Sequence, residues 1–261
     1  MGEKQIDAYV KKWLKEARQR IIRSFDDILY IQTKSDKSDL VTNIDKEIEQ
    51  FFIRNIRTVF PGHHIIGEEG FGDDLKRLDG TVWLIDPIDG TMNFVHQQRN
   101  FMISIGVYED GVGKYGYIYD VIHDELYYAI KGKGAYFNDR AIAKLREDVA
   151  VAEALISINA SWLTRNYCMD ASRLIQLVKD VRGTRSYGSA ALEFAYVATG
   201  RLDAYLTMRL SPWDFAAGKI IVEELGGIVT TLKGEPLKLL EKNAVLVSKP
   251  GLHKQLLTYL R

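Results

Sequence analysis

Apolar residues recur at steps of three and four positions near the N-terminus. The spacing is typical of an amphipathic helix with a wide apolar stripe, formed by Ile6, Tyr9, Val10, Trp13, Leu14, Ala17, Ile21, Ile22 and Phe25. The polar stretch 33–39 has nothing to pack, which predicts a mobile loop. A second helix is expected from about Thr42 to Phe60, because Pro61-Gly62 would end it.

Between residues 101 and 137 the pattern changes to short runs of β-branched and aromatic residues. Strands at 101–108, 114–119 and 126–130 would form an antiparallel meander, with Asp110-Gly111 and His123-Asp124 at the turns. Residues 111–116 also fit the G-x-G-x-x-G pattern. A dinucleotide site needs a helix directly after those glycines, and the sequence here predicts a strand. We therefore interpret the glycines as part of a hairpin.

Helical and strand patterns alternate after about residue 145. We expect strands at 154–158, 202–206, 227–231 and 244–248, and helices at 169–181, 190–199 and 213–225. This order predicts a mixed α/β (α+β) fold. The division we expect is an N-terminal α+β half, 1–145, and a C-terminal α/β half, 146–261, which share one extensive interface.

Composition narrows the class of protein. The 261 residues carry 35 basic and 35 acidic side chains, which argues against a nucleic-acid partner recruited by overall charge. The lone Cys168 excludes an internal disulfide, is compatible with a reducing compartment and is expected to be a core thiol. No apolar run approaches the roughly 20 residues of a membrane span, and the first residues lack the apolar core of a signal peptide. These features predict a cytoplasmic enzyme with no membrane contact.

The chemistry concentrates where a buried strand ends. Residues 82–85 are apolar, and Asp86 and Asp89 follow, three positions apart. Pro87 cannot donate to a sheet ladder, so the strand is expected to end near Asp86, and Gly90 allows a sharp turn. Buried acids need a positive compensator, and Mg²⁺ suits oxygen-only ligands. A solvated turn is the alternative interpretation of such a segment.

Two more acidic segments accompany this one. Gly67-Glu68-Glu69 follows the apolar pair at 65–66, and Asp214 follows Ser211-Pro212-Trp213. The Asp214 segment also resembles an ordinary helix start, with a serine cap and a proline at the first position. Asp45 has a similar alternative, since it could form a capping box with Thr42.

Taken together, these motifs resemble the signatures of the inositol monophosphatase family of Mg²⁺-dependent, lithium-sensitive phosphomonoesterases. The resemblance rests on residues 67–69, 86–91, 213–214 and 226–227, with 39–42 and Asp45 near the start. It implies a layered α-β-α-β-α sugar-phosphatase-like fold with the active site between the halves. It also implies a homodimer and a small phosphate monoester as substrate.

The resemblance further implies which residues form the site. Two or three Mg²⁺ ions would be bound by Glu68, Asp86, the carbonyl of Ile88, Asp89 and Asp214. Thr91 and Glu68 would orient and deprotonate the nucleophilic water, with Asp45 behind Thr91. Lys34, in the mobile loop, would lie close to the metals. Substrate contacts are expected from Asp89, Gly90, Thr91, Gly188, Ser189, Ala190, Thr207 and Arg209.

One position departs from the pattern of inositol-preferring members, which carry a glutamate seven residues before the metal-binding aspartate. Thr207 stands there in this chain, and Arg209 follows two residues later. An arginine favours a second phosphate on the substrate, because its guanidinium pairs with phosphate oxygens in a bidentate manner. The expected activity is therefore hydrolysis of inositol monophosphate, with fructose 1,6-bisphosphate or NADP as alternatives. A non-catalytic regulator of RNA-processing machinery on the same scaffold is the alternative from another class.

Overall fold

Helices alternate with short strands along the chain. The computed structural model describes residues 3–26, 28–34, 40–164 and 169–260, so Cys168 and residues 35–39 of the expected mobile loop lie outside the described residues. The helices are α1 (Glu3–Arg23), α2 (Asn43–Val59), α3 (Thr91–Gln97), α4 (Ala171–Asp180), α5 (Ala190–Ala198), α6 (Pro212–Glu224) and α7 (Pro250–Leu260). Single 3₁₀ turns occur at Ser24–Asp26, Val151–Glu153 and Ala160–Leu163.

The strands form three sheets. Their bounds are β1 (Ile31–Thr33), β2 (Leu40–Thr42), β3 (His64–Gly67), β4 (Thr81–Asp89), β5 (Met102–Glu109), β6 (Val112–Asp120), β7 (Glu125–Ile130), β8 (Gly134–Phe137), β9 (Arg140–Ala141), β10 (Leu155–Ile158), β11 (Gly183–Arg185), β12 (Ala204–Leu210), β13 (Ile228–Thr231) and β14 (Asn243–Ser248). β1 and β2 form a small antiparallel pair. The large sheet has the order β3-β4-β5-β6-β7-β8-β9, and the third sheet has the order β11-β10-β12-β14-β13.

Alternating side chains explain why helices cover both faces of the large sheet. On β4, Trp83 and Ile85 pack with apolar residues of α1 and α2, whereas Val82 and Leu84 point to the other face. That other face packs against α5 and α6, which also contact Tyr205 and the inner face of the third sheet. α4 and α7 cover its outer face. The layers are therefore α-β-α-β-α, and the expected mixed α/β fold is confirmed.

The large sheet lies within residues 64–141 and the third sheet within 155–248. The boundary near 145 falls between them, but α5 and α6 of the second half pack directly on the first. One continuous core thus spans the two sheets, and the division into two halves stays a prediction.

Several elements differ from the sequence expectation. β4 does not end at Asp86; it continues to Asp89 through an irregularity in its pairing with β5, between the pairs Asp86–Ser104 and Asp89–Met102. Pro87 lies inside this irregularity, where no ladder donor is needed. β12 begins two residues later than expected and extends to Leu210. Residues 111–116 lie in the β5–β6 hairpin, and no helix follows them.

No helix in the described part of the chain combines the length and apolar character that a membrane crossing requires.

His253 on α7 gives the fold a pH dependence. Its ring is 5% exposed and lies between the hydroxyls of Ser248, 2.8 Å from Nδ1, and Thr230, 3.0 Å from Nε2. Burial lowers the pKa of His253 from 6.5 to about 4. Folding therefore favours the neutral form of the His253 ring. The stability that this preference contributes is fully present above pH 6.5 and is lost as the pH falls toward 4.

Because of His253, we expect the free energy of unfolding of the wild-type protein to fall by about 2 kcal/mol from pH 7 to pH 5. Urea unfolding at both pH values, on wild type and His253→Gln, measures the difference. The variant should lose less stability over this range. Equal losses in the two proteins would show that His253 does not titrate in this way.

Candidate active site

Three aspartates converge where β4 ends and α6 begins. Carboxylate oxygens of Asp86, Asp89 and Asp214 all lie within 4.8 Å of one another. The irregular end of β4 brings Asp86 and Asp89 to the same place, and the first turn of α6 brings Asp214 to them. The structure thus brings together three of the residues that the sequence nominated as metal ligands.

The electrostatics of this cluster are unfavourable without a cation. Burial, with the charges of Glu68, Asp89 and Asp214, raises the pKa of Asp86 well above its usual range. Burial also raises the pKa of Asp89 to about 6. Burial and the charges of Asp89 and Glu68 raise the pKa of Asp214. Holding buried carboxylates this close together costs free energy unless a cation lies among them. Because all of their donor atoms are oxygens, the cluster fits a hard divalent ion such as Mg²⁺.

Asp214 caps its helix and also belongs to the aspartate cluster. Its Oδ2 accepts from the Ser211 backbone N–H at 2.8 Å, as a capping residue does, and Pro212 is the first residue of the helix. The same carboxyl belongs to the aspartate cluster. Helix capping and a place in the site are therefore compatible.

Glu68 lies beside this cluster and is paired with a lysine. It follows β3 and lines the same cavity, but it is not one of the three acids within 4.8 Å of each other. Lys34 Nζ donates to Glu68 at 2.9 Å and to Glu69 at 2.6 Å. Burial opposes the charge on Lys34, but Glu68 and Glu69 raise its pKa above the usual value. Lys34 thus lies beside Glu68, and its closeness to bound metals stays a prediction.

Thr91 is held by two acceptors. Its hydroxyl lies 3.0 Å from Asp45 Oδ1 and 3.1 Å from the carbonyl of Ile88. Asp45 Oδ2 accepts from the Thr42 backbone N–H at 2.9 Å, so this carboxylate both caps α2 and contacts Thr91. Burial raises the pKa of Asp45 above its usual value, against its hydrogen bonds from Thr42 and Thr91.

Asp89 joins the cluster to the start of α5. Its Oδ1 accepts from Ala190 N–H at 3.2 Å, and its Oδ2 accepts from Ala191 N–H at 2.7 Å and from the Ser189 hydroxyl. Ser189 and Ala190, whose backbone was expected to contact substrate, therefore donate to Asp89 here, through the Ser189 hydroxyl and the Ala190 amide. This arrangement fixes α5 against the end of β4.

The cluster opens into a cavity of about 300 Å³. Its lining includes the remaining residues expected to contact substrate, namely Gly90, Gly188, Thr207 and Arg209. A second cavity of about 300 Å³ adjoins it at Glu68, Arg209 and Asp214, and is also lined by Lys34 and Lys242. Negative charge therefore dominates the first cavity, and three basic side chains line the second.

Two buried acids in this region were missed by sequence reasoning. Glu49 on α2 is fully buried and accepts from the backbone N–H groups of Glu69 at 2.7 Å and Phe71 at 3.0 Å, which holds the loop that carries Glu68. Glu193 on α5 is 3% exposed and lines the cavity. In the sequence, each of them is an acid on a helix face that is otherwise apolar, and this pattern could have revealed them. Glu49 follows Asp45 by four residues, and Glu193 lies within residues 190–198.

Comparison with known proteins agrees with this geometry. The inositol monophosphatase family model matches residues 3–261. The chain is 60% identical over 250 residues to the inositol-1-monophosphatase of Bacillus subtilis, covering 96% of this chain and 94% of that protein. It is 39% identical over 216 residues to the fructose-1,6-bisphosphatase/inositol-1-monophosphatase of Thermotoga maritima, covering 82% and 80%.

Solved structures show the same fold. The structure of SaIMPase-II with bound inositol monophosphate is 41% identical, with a TM-score of 0.88 over 98% of this chain and 93% of that chain. An IMPase/NADP phosphatase in complex with Mg²⁺ and phosphate is 31% identical, with a TM-score of 0.89 over 98% and 95%. On the match to its full length, the acidic cavity and the shared fold, this chain belongs to the inositol monophosphatase family and is a phosphomonoesterase.

Proposed function

We propose that this enzyme hydrolyses inositol monophosphate with Mg²⁺ held by Glu68, Asp86, the carbonyl of Ile88, Asp89 and Asp214. The observation that carries the proposal is the convergence of three aspartates within 4.8 Å on a cavity that Glu68 also lines. Four carboxylates carry a charge of about −4, which two Mg²⁺ ions would neutralise, and a third would match a phosphate dianion. When bound, Mg²⁺ supplies the positive charge that draws in the phosphate and stabilises the leaving oxygen.

Thr91 is the proposed holder of the attacking water. Asp45 and the Ile88 carbonyl are both acceptors for the Thr91 hydroxyl, which directs its proton toward them and leaves its lone pairs available to a water in the cavity that Thr91 lines. A water that donates to Thr91 would be oriented for in-line attack on phosphorus. Asp45 holds the Thr91 hydroxyl in this direction from its buried position.

Glu68 is the proposed acceptor of the water's second proton. It lines the cavity next to the aspartates, and Lys34 holds it by one oxygen. Attack of the water on phosphorus breaks the bond to the alcohol oxygen, which leaves as the alcohol after it takes up a proton from solvent, and Glu68 later returns its proton to solvent. No covalent enzyme intermediate is needed.

Phosphate release from inositol 1-phosphate tests this proposal directly. The rate is expected to fall at least about 100-fold when EDTA removes divalent ions, and to return when Mg²⁺ is added in excess. Li⁺ is expected to inhibit, in keeping with the family. Turnover that is unchanged by EDTA would contradict the assigned metal ligands, and no turnover of any phosphate monoester with Mg²⁺ would contradict the activity.

A second phosphate on the substrate is the alternative that one observation favours. Arg209 lines both the acidic cavity and the adjoining one, where Lys34 and Lys242 also lie. A bisphosphate could place one phosphate at the aspartates and the other among these basic groups. Initial rates on fructose 1,6-bisphosphate and NADP, beside inositol 1-phosphate, distinguish an enzyme with relaxed substrate specificity from a strict one.

A homodimer and a cytoplasmic location stay predictions from the resemblance and the composition.

A further inference from the structure

Asn93 joins two distant segments beside the aspartate cluster. It lies on α3, two residues after Thr91, and is 8% exposed. Its Nδ2 donates to the carbonyl oxygens of Asn100 at 2.8 Å and of Tyr187 at 2.6 Å. Because an amide nitrogen carries two hydrogens, both of them are used. Asn93 therefore fastens the segment that precedes α5 to the turn that follows α3.

The segment that Asn93 holds is also the one that holds Asp89. Residues 189–191 begin two positions after Tyr187, and they donate one hydroxyl and two amide hydrogens to the Asp89 carboxylate. Among the described residues, every hydrogen bond to that carboxylate comes from this short stretch. The place of the stretch therefore sets the direction in which the carboxylate points.

Close packing around Gly90 limits where this stretch can lie. A Cβ at Gly90 would lie 3.3 Å from each of the carbonyl oxygens of Asn100 and Gly188. Gly188 has a φ of +77°, and a Cβ there would lie 3.1 Å from Asn93 Nδ2. The two segments thus meet in backbone contact at Gly90, and the Asn93 amide supplies the hydrogen bonds that hold them together there.

We propose that Asn93 is a positioning residue, which acts through residues 187–191 to fix the direction in which Asp89 presents its carboxylate to the divalent ion. The inference rests on the proposed Mg²⁺ site and adds a residue outside its ligands. Groups that hydrogen-bond a ligand carboxylate orient it, and losing them typically lowers metal affinity about 10- to 100-fold. Asn93 does not line the aspartate cavity, so its influence passes through the stretch that it holds.

Mn²⁺ binding to the substrate-free protein tests this role without depending on turnover. Asn93→Leu keeps the branched shape of the side chain but donates no hydrogen bond. We expect the Kd for Mn²⁺, measured from the EPR signal of the free ion, to rise at least about 10-fold. At saturating Mg²⁺, kcat for phosphate release should stay within about 3-fold of wild type, because the metal ligands themselves are unchanged.

Asn243→Leu is the matched control. Asn243 is 7% exposed, and its Nδ2 also donates to two carbonyl oxygens, those of Lys238 at 2.9 Å and Glu241 at 2.7 Å. It lines neither the aspartate cavity nor the adjoining one. This variant should lose stability as Asn93→Leu does, yet bind Mn²⁺ within about 2-fold of wild type. Equal weakening of Mn²⁺ binding in the two variants would show a general loss of stability and overturn the proposal.

A double-mutant cycle shows whether Asn93 acts through the stretch that contacts Asp89. Ser189→Ala removes the hydroxyl that donates to Asp89 Oδ2, and should by itself weaken Mn²⁺ binding at least about 3-fold. With Asn93→Leu added, the loss should be smaller than the product of the two single losses, because both changes act on one contact. Losses that multiply would show that the two residues act independently, which contradicts the proposed route.

Gly188→Ala disturbs the same contact from the opposite side, and it provides the test if Asn93→Leu does not fold. The added Cβ would press on the Asn93 amide, so we expect Mn²⁺ binding to weaken at least about 5-fold. Unchanged Mn²⁺ binding in the variants that fold would overturn the role of Asn93 alone. Absence of Mn²⁺ binding to the wild-type protein would instead contradict the proposed metal site, and with it this role.

Discussion

Replacing Asp89 with Asn is expected to lower kcat/KM for inositol 1-phosphate at least about 1,000-fold, which corresponds to about 4 kcal/mol of transition-state stabilisation. Asp89 supplies one of three carboxylates that lie within 4.8 Å of one another. An amide has the same shape but carries no charge and offers one acceptor oxygen instead of two. The variant would therefore attract a divalent ion and its phosphate far less strongly. Phosphate release over a range of Mg²⁺ concentrations measures the loss.

The same variant is expected to fold. An asparagine oxygen can still accept from the Ala191 N–H and the Ser189 hydroxyl, and the weaker contact to Ala190, at 3.2 Å, is the one that would be lost. Removing a buried charge offsets that loss, because burial and the neighbouring acids already disfavour the ionised form of Asp89.

Asp120→Asn is the matched control for Asp89→Asn. Asp120 is 4% exposed and accepts from the backbone N–H groups of Ile122 and His123, outside the cavity. It should retain wild-type turnover per folded molecule, as judged by circular dichroism and thermal unfolding. Near-normal turnover in Asp89→Asn would remove this residue from the proposed metal site.

The convergence of the three aspartates follows from local rules that can be read in the sequence. An apolar run ended by Asp86 and Pro87 must bring its acids to the end of a buried strand, and Ser211-Pro212 must start a helix that carries Asp214 in its first turn. The same segments carry the family resemblance. Both lines of reasoning therefore pointed to residues that the structure brings together.

The groups that the sequence did not reveal depend on contacts between distant segments. Glu49 and Glu193 are acids on apolar helix faces, and nothing in their local pattern says which backbone amides they accept from, twenty residues away in the first case. The pairing of Asp89 with Ser189 likewise joins residues 100 positions apart. Periodicity predicts which face of a helix is buried, but not the partners that it meets there.

The end of β4 also depends on a partner that the local sequence does not reveal. The prediction that this strand ends near Asp86 was wrong: its regular pairing is interrupted after Asp86, but it resumes at Asp89, opposite Met102 on β5. The sequence shows that Pro87 has no backbone N–H to donate, but it does not show whether the neighbouring strand continues past this residue.

Replacing Gly116 with Ala is expected to lower the free energy of unfolding by about 3 kcal/mol, because α6 lies directly on the large sheet at this residue. A Cβ at Gly116 would lie 2.4 Å from the Ala217 backbone oxygen, and one at the paired Gly106 would lie 2.8 Å from the Ala216 Cβ. Backbone atoms of a helix cannot rotate away as a side chain does, so α6 must shift as a whole. Since α6 carries Asp214, phosphatase activity per folded molecule should also fall.

Gly62→Ala separates this steric effect from the general effect of adding a methyl group. Gly62 has a backbone conformation open to other residues, and no atom lies within 4 Å of the position that its Cβ would take. Its unfolding free energy should stay within about 0.5 kcal/mol of wild type. Denaturant unfolding of the two variants gives the comparison. If Gly116→Ala unfolded at the same denaturant concentration as Gly62→Ala, the close approach of α6 to β6 could not be what positions Asp214, and the aspartate cluster would need another support.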